Sequence, residues 1–393
     1  MDTTGAAVNL PGVTPRFSFL MITYNQEKYI ADALNSALAQ DYPDLEIVIS
    51  DDCSKDRTFE IATEIAKNYH GPHKIILNRN EPNLGIGGNF YKAYTLSSGE
   101  WLFMAAGDDI SLPERCRVVA EAIPKYPDAL VFGTNIKIID GDSVPRGYIG
   151  IPSPLQPGAA LVWHRSIFSL FPALTPDNKM EDFPLMTRPF FLNKQLVMLP
   201  KVALHYRIDG HSFTGINRNT ALKVMQYKVA LTDMTMTCVE QRLRDLDYAE
   251  QRWRVKYADN LRARFAWMLR GMRREKVSYE KAVQIMEAPY WQRILYVLRP
   301  SSLVFHRSVF SRLRTVLSSV PLLIALKRLW GQGEIRYMRT LVDEILPEKR
   351  EAIVISTEFY LNDPNCDWYA SAFPESFYQE DSGRLSGPEQ QRP

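Results

Sequence analysis

The stretch GEWLFMAAGDDISLPE, residues 99–114, decides the fold of this chain. Its apolar run Trp101–Ala106 has the length and continuity of a buried strand. The run ends at once in Gly107, Asp108 and Asp109. Adjacent carboxylates at a strand end need a cation, a sugar hydroxyl or a helix terminus to receive them.

The same alternation of short apolar runs with helical periodicity continues on both sides of this stretch. The predicted strands are residues 17–23, 45–50, 74–79, 100–106 and 129–133. Continuous apolar strands that alternate with helices are typical of an α/β fold, with a Rossmann-like, mostly parallel sheet flanked by helices. The ligand crevice of such a sheet lies beyond the carboxyl ends of its strands.

Three polar clusters fall at those predicted strand ends, namely TYN (23–25), SDDCS (50–54) and GDD (107–109). In the third cluster, one carboxylate could bind a hard divalent cation while the other takes a ribose or sugar hydroxyl. The alternative is that Asp109 or Ser111 only caps the next helix. Ser111 and Glu114, with Pro113 between them, already predict a capping box there, which leaves the Asp pair for a ligand.

The second cluster holds Asp51 and Asp52, and Ser54 or Asp56 could cap the helix that follows. The Asp pair then has no structural task, so a carboxylate could accept an N–H of a nucleotide base. Tyr24, at the neighbouring strand end, could stack on that base. The alternative for Tyr24 is an ordinary half-buried tyrosine.

A third acidic pair occurs in KMEDFPLM (179–186). Pro184 suits the first turn of a helix, which places Glu181 and Asp182 at its positive end. That end favours an ionised carboxylate, which could serve as a general base. The alternative is a plain N-cap.

Taken in order, TYN, SDDCSKDRT, GDD and ED resemble the motifs of glycosyltransferase family 2, whose members have the GT-A fold. The resemblance covers residues 16–215. It implies an enzyme that moves a sugar from a nucleotide-diphospho-sugar to an acceptor hydroxyl and inverts the anomeric centre. The acceptor is expected to be a glycan or lipid-linked glycan, as in surface polysaccharide synthesis.

The resemblance also implies roles for single residues. Tyr24 would stack on the base, Asp52 would hydrogen-bond it, and Asp108 would contact the ribose or the metal. Asp109 would coordinate Mg²⁺ or Mn²⁺ on the diphosphate, and Asp182 would take the acceptor proton. Arg207 and His211 match residues that face the diphosphate, although Asp209 stands where many relatives carry a His. The remaining candidates are Asn89, in a glycine cluster resembling a donor-side loop, with Asp51 and Glu181 beside the principal carboxylates.

The rest of the chain divides by composition. The predicted parts are a flexible N-terminus (1–15), a donor half (16–139), an acceptor half (140–215), a basic helical extension (216–350) and an acidic, partly disordered tail (351–393). Between Arg242 and Arg350 there are 23 Lys and Arg against 11 Asp and Glu. Residues 303–330 read either as a basic amphipathic helix in a membrane interface or as a helical cap on the catalytic domain.

Net charge, cysteine content and the first residues limit the possible partners and the cellular compartment of this protein. A net charge of +2 over 393 residues argues against a nucleic-acid partner. Four cysteines without a CxxC pair favour a reducing compartment. No secretory signal pattern is found at the start, so we expect a cytoplasmic protein, peripheral on the cytoplasmic face of the inner membrane if residues 303–330 bind lipid.

Three other classes share parts of this pattern. A phosphoacceptor receiver domain would carry its acidic pair after the first strand, where this chain has TYN. A nucleotidyltransferase would carry a Gly-rich, basic loop there, and TYNQEKY is not one. A non-catalytic GT-A module that binds sugar nucleotide or glycan stays open, because a sequence does not report turnover.

Overall fold

The computed structural model describes residues 15–149, 157–175, 177–178, 180–208, 220–289 and 352–362. The chain divides into two compact units. The first consists of Met1–Arg207, Arg244–Ala258 and Pro347–Tyr360, and the second of Ile208–Leu243, Asp259–Leu346 and Leu361–Pro393. The first unit therefore includes two segments that the sequence-based boundary at residue 215 assigned to the extension and the tail.

Strands and helices alternate along the first part of the chain, as the sequence pattern predicts. The strands are β1 (Phe17–Thr23), β2 (Leu45–Asp51), β3 (Lys74–Arg79), β4 (Trp101–Ala106), β5 (Ile110–Ser111), β6 (Ala129–Ile139), β7 (Pro145–Ile149), β8 (Leu161–His164), β9 (Gln195–Arg207) and β10 (Ile353–Ile355). The helices are α1 (Ile30–Leu38), α2 (Thr58–Asn68), α3 (Gly85–Leu96), α4 (Arg115–Ala122), α5 (Ser166–Ser169), α6 (Asp182–Leu185), α7 (Arg188–Phe191), α8 (Ala221–Glu250), α9 (Ala258–Glu287) and α10 (Thr357–Asn362).

All the strands join one mixed sheet in the order β10-β9-β6-β8-β4-β1-β2-β3, with β5 added to β9 and β7 to β6. The neighbours β4, β1, β2 and β3 are mutually parallel. Thr23 lies opposite Asp51, and Ile22 lies opposite Ala106, so these strands end at the same level. We call the side of the sheet where β1, β2 and β4 end the carboxyl edge.

The second half of the sheet contains the antiparallel pairs of this mostly parallel fold. β8 pairs antiparallel with both β4 and β6, and it therefore separates the predicted fifth strand from the fourth. This four-residue strand follows a proline-rich segment, which hid it from the sequence pattern. β6 continues to Ile139 and pairs parallel with β9. The predicted α/β fold is confirmed, with parallel pairing from β4 to β3 and mixed pairing in the second half of the sheet.

Aromatic side chains of β1 and β4 form the centre of the core. The rings of Phe17 and Phe103 lie 4.9 Å apart, and those of Phe19 and Phe103 lie 5.6 Å apart. Ile30 and Leu34 of α1 are fully buried in the same cluster. Burial of this apolar surface, at about 25 cal/mol per Å², fixes the two strands that carry the TYN and GDD clusters.

The second unit contains most of α8 and α9, which confirms that the predicted extension is helical where it is described. Lys276 of α9 forms an ion pair with Asp233 of α8 at 2.6 Å. Among the described residues, no helix combines the length and apolar character needed to cross a membrane. The predicted membrane-binding segment, residues 303–330, and the predicted site residue His211 lie outside the described residues.

Candidate active site

The structure brings the three predicted strand-end clusters together at the carboxyl edge. The backbone N–H of Asp52 donates to the carbonyl of Thr23 at 2.9 Å. The N–H of Gly107 donates to the carbonyl of Ile22 at 3.1 Å. Each bond carries the strand ladder one residue further, so the chain turns away from the sheet at the same height in all three places.

Gly107, directly after β4, packs closely against the end of β1. A Cβ atom at this position would lie 2.8 Å from the Cβ of Thr23 and 2.5 Å from Oε1 of Gln26. No side chain fits these distances without displacing the backbone. The GDD cluster therefore needs glycine as its first residue for packing, a requirement that the sequence analysis did not identify.

We predict that Gly107→Ala destabilises the fold by about 1–3 kcal/mol, because the added methyl overpacks a filled space. Urea unfolding measures this change. Gly271→Ala on α9 is the matched control, since no heavy atom lies within 4 Å of an added Cβ there. The control should keep or gain stability, by about 0.5–1 kcal/mol, because alanine is the better helix former. Equal stability of the Gly107 variant and wild type would contradict the packing argument.

Tyr24 follows β1 and remains 43% exposed in a protein whose other strand-end residues are mostly buried. The turn around it is held by neighbours. Asn25, which has φ of 52°, accepts the N–H of Lys55 on its side-chain oxygen and donates its own N–H to Ser54. The exposed ring is thus presented by a fixed turn, as base stacking would require.

Asp51 has a structural task, contrary to the expectation from sequence. Its carboxylate is fully buried, accepts the N–H and the hydroxyl of Ser54, and lies 3.6 Å from Nε of Arg79. Its oxygens therefore hold the turn after β2. The argument that the Asp pair as a whole lacked a structural partner is wrong for Asp51.

Asp52 joins the carboxyl edge to the glycine-rich start of α3. Its Oδ1 accepts the N–H of Leu84 at 2.8 Å and Nδ2 of Asn80 at 3.0 Å. Asn80 also donates to Oδ1 of Asn89, and Asn89 donates to the carbonyl of Ser50. Asn89 is 2% exposed, so these contacts give it a positioning role behind Asp52.

Asp109 is a buried carboxylate of the carboxyl edge. It is 4% exposed, its Oδ1 accepts the N–H of Arg207 at 2.8 Å, and its buried Oδ2 has no hydrogen-bond partner. Burial, with the adjacent charge of Asp108, raises the pKa of Asp109 well above its ordinary value. A buried carboxylate oxygen without a partner destabilises the folded protein unless it is protonated or binds a cation.

These features fit the divalent cation that the family resemblance implies. Mg²⁺ and Mn²⁺ prefer oxygen ligands, and Mg²⁺ commonly binds through one or two carboxylates plus substrate phosphates. Within the described residues no group of three or more His, Cys, Asp or Glu side chains could hold a metal. Asp109 and Asp108 would then supply the protein ligands, and donor phosphates and water the others.

Arg207 builds the turn that carries this pair. Its Nε donates to the carbonyl of Asp108 at 2.8 Å, and its Nη1 donates to Ser143 and to the carbonyl of Asp140, both at 3.0 Å. Its guanidinium lies 4.5 Å from the ring centre of Tyr29. Nη2 is buried without a partner. Arg207 thus shapes the GDD turn and keeps one buried N–H group, at Nη2, without a partner.

The predicted capping box at Ser111 and Glu114 is wrong. α4 begins at Arg115, its N-cap residue Glu114 makes no side-chain capping bond, and Ser111 belongs to β5. Ser111 instead accepts a hydrogen bond from Arg115 at 3.0 Å. The motif matches by spacing alone, because pairing of β5 with β9 uses the backbone where the cap was expected.

Glu181 and Asp182 lie at the start of α6, as predicted, but Glu181 does not behave as expected from the helix terminus. Burial and the neighbouring charge of Asp182 raise the pKa of Glu181. Asp182 is held differently, since its Oδ2 accepts the N–H of Gly158 at 3.1 Å. The Asp182 carboxylate is therefore held by the backbone of the segment that contains Gly158.

The raised pKa of Glu181 gives a pH test. The folded protein holds this proton more tightly than the unfolded chain, so its stabilising effect is complete at low pH and is lost as pH rises through the folded-state pKa. We predict that Glu181→Gln gains stability over wild type with rising pH, by at most about 1.4 kcal/mol per pH unit. Urea unfolding between about pH 5 and 8 measures the difference.

Glu275→Gln is the control for this series, because the Glu275 side chain is exposed on α9. Its stability relative to wild type should stay constant with pH. A difference for Glu181→Gln that is equally flat would show that Glu181 is not held neutral in the folded protein.

The carboxylate of Asp182 is tied to the carboxyl edge through the 3₁₀ turn Gly158–Ala160. The carbonyl of Ala159 accepts Nη2 of Arg115 at 2.6 Å, and Arg115 also bonds Ser111. Sequence reasoning missed Arg115, since an arginine at the start of a helix resembles a surface residue. Its burial appears only when the sheet and the 158–160 turn are assembled.

Comparison with known proteins agrees with this geometry. Residues 18–184 match the family model of Glycosyl transferase family 2. The chain is 31% identical to EpsE of Bacillus subtilis over 144 residues, covering 37% of this chain and 51% of EpsE. It is 29% identical to the poly(ribitol-phosphate) β-N-acetylglucosaminyltransferase TarS of Staphylococcus aureus over 210 residues, covering 49% of this chain and 35% of TarS. The chain thus spans about half or less of these relatives.

Similar solved structures include S. aureus TarS 1–349 with UDP, at TM-score 0.46 and 17% identity over 78% of this chain and 81% of that chain. Mannosyltransferase PcManGT of Pyrobaculum calidifontis, in complex with GDP-Man and Mn²⁺, has TM-score 0.49 and 14% identity over 82% of this chain and 89% of that chain.

The parallel strands and the acidic clusters at their ends agree with the GT-A fold that the family resemblance implies. Residues 18–184 match glycosyltransferase family 2, which is the family that the sequence motifs resemble. The resemblance inferred from the TYN, SDDCS, GDD and ED motifs is confirmed. The roles of the single residues stay predictions.

Proposed function

We propose that this chain is an inverting, metal-dependent hexosyltransferase that uses a nucleotide-diphospho-sugar. The observation that carries the proposal is the unpartnered Oδ2 of buried Asp109, at the same edge as Tyr24 and Asp52. A divalent cation bound to the donor diphosphate would supply the missing partner of that oxygen. The tie between Asp182 and the same edge supports a base near the sugar.

The donor would lie across the carboxyl edge. Its base would stack on the exposed ring of Tyr24 and hydrogen-bond the carboxylate of Asp52. Its ribose would contact Asp108, and its diphosphate would extend toward Asp109 and Nη2 of Arg207. Asp51 and Asn89, whose polar atoms bond neighbouring protein groups, would support this surface from behind.

A bound Mg²⁺ or Mn²⁺ would supply positive charge to the departing diphosphate. Asp182 would take the proton from the acceptor hydroxyl as that oxygen attacks the sugar from the face opposite the diphosphate. The N–H of Gly158 orients one oxygen of this carboxylate and favours its ionised form, which is the form that accepts a proton. Neutral Glu181 beside it would keep a second negative charge away from the base.

The relatives suggest which donor and acceptor to test. TarS is named as a β-N-acetylglucosaminyltransferase that acts on poly(ribitol-phosphate), so UDP-GlcNAc is our first donor probe. We propose a glycan or lipid-linked glycan acceptor, and a role in surface polysaccharide synthesis at the cytoplasmic side of the membrane. Binding of residues 303–330 to a membrane stays a prediction, which co-sedimentation with anionic vesicles would check.

We predict that Asp182→Asn binds UDP-GlcNAc with Mn²⁺ within about threefold of wild type but loses turnover by about 10² or more, the usual effect of losing a general base. Calorimetry gives the donor affinity, and release of UDP gives the turnover. Asp128→Asn is the matched control, with a carboxylate 59% exposed and paired to Lys194. Wild-type turnover in Asp182→Asn would place the base elsewhere.

A further inference from the structure

Arg115 is a buried cation that touches both parts of the candidate site. Its side chain is 0% exposed. The guanidinium lies 5.4 Å from the ring centre of Phe19 and 5.7 Å from that of Phe103, so it is enclosed by the apolar core. A buried charge of this kind is retained only where several hydrogen bonds compensate its desolvation.

One nitrogen of this guanidinium spans the turn that carries the acidic pair. Nη1 donates to the carbonyl of Met104 in β4 at 2.9 Å and to the hydroxyl of Ser111 in β5 at 3.0 Å. Residues 107–109 lie between these two partners in the chain. Nη1 therefore fixes both ends of the GDD turn.

The other nitrogen reaches the segment that holds the proposed base. Nη2 donates to the carbonyl of Ala159 at 2.6 Å, and the preceding residue, Gly158, donates its N–H to Asp182. A Cβ at Gly158 would lie 3.2 Å from the Cβ of Asp182, so the turn and the base are in close contact. A shift of the turn would thus move the base.

We propose that Arg115 is a positioning residue that sets the distance between the metal-binding turn and the general base. The planar guanidinium holds Nη1 and Nη2 at a constant separation, so the GDD turn and the 158–160 turn keep one relative placement. Lysine carries the charge but offers a single nitrogen in place of this fork. The inference rests on the proposed function for its catalytic meaning, while the placement itself is a property of the fold.

Substitution by lysine tests the contacts of Nη1 and of Nη2 separately. In Arg115→Lys, one ammonium can still bond Met104 and Ser111 but does not hold Ala159 as well. We expect Mn²⁺ affinity without donor, measured by electron paramagnetic resonance, to stay within about threefold. Turnover of UDP-GlcNAc should fall by at least about tenfold with little change in KM, because a misplaced base slows only the chemical step. Amide hydrogen exchange of residues 158–160 should accelerate.

Two further variants complete the test. Arg115→Met removes the hydrogen bonds of both Nη1 and Nη2, and it should weaken Mn²⁺ binding and lower turnover. Ser111→Ala removes only a contact on the metal side, and it replaces the methionine variant should that one fail to fold. It should weaken Mn²⁺ binding, while amide hydrogen exchange at residues 158–160 stays close to the wild-type rate.

Arg165→Lys is the matched control, because Arg165 bonds the carbonyl of Gly99 and Ser97 at the opposite, amino end of β4. It should lose stability while turnover, KM and exchange at residues 158–160 stay as in wild type. The same pattern in Arg115→Lys would overturn the proposal. Failure of wild type to release UDP from any sugar donor would instead contradict the transferase function, and the exchange and Mn²⁺ readouts would still decide the placement by Arg115.

Discussion

The close contact of Gly107 with the end of β1 is the constraint on which the candidate site depends. Parallel pairing brings the strand ends to one level, but only a residue without a side chain lets the turn after β4 pack against Thr23. Asp108 and Asp109 follow immediately, so their place beside Tyr24 and Asp52 results from this packing. The core rings of β1 and β4 keep the two strands in that register.

Charge at the carboxyl edge is arranged around two buried arginines. Arg207 holds the acidic turn from β9, and Arg115 holds it from α4. Both guanidinium groups also oppose the rise in the pKa of Asp109 that burial and Asp108 cause. Oδ2 of Asp109 still has no partner, and a bound divalent cation would remove the free-energy penalty of burying it. The buried negative charge of this site would therefore favour binding of a diphosphate together with its cation.

The local sequence pattern predicted the first strands and the common edge of the clusters, but it did not predict the contacts that complete the second half of the sheet. The first three strands match the sequence-based limits to within one residue, because each is a continuous apolar run. The edge location of the clusters followed from the parallel arrangement alone. The strands β5, β7, β8 and β10 were not predicted, since short strands are defined by their distant partners, and the longer β9 was missed as well. The capping box failed for the same reason, and Arg115 was missed because burial of an arginine depends on contacts from residues 104–159.

A thermal-shift screen tests the central claim most directly. UDP-, GDP-, CDP- and dTDP-sugars would each be added to the full chain with and without Mn²⁺. A ligand that binds only the native state raises the melting temperature as it saturates the site. We predict a rise for one nucleotide that requires Mn²⁺ and is lost in Asp109→Asn. A rise that is independent of metal, or no rise with any donor, would contradict a metal-dependent donor site at the carboxyl edge.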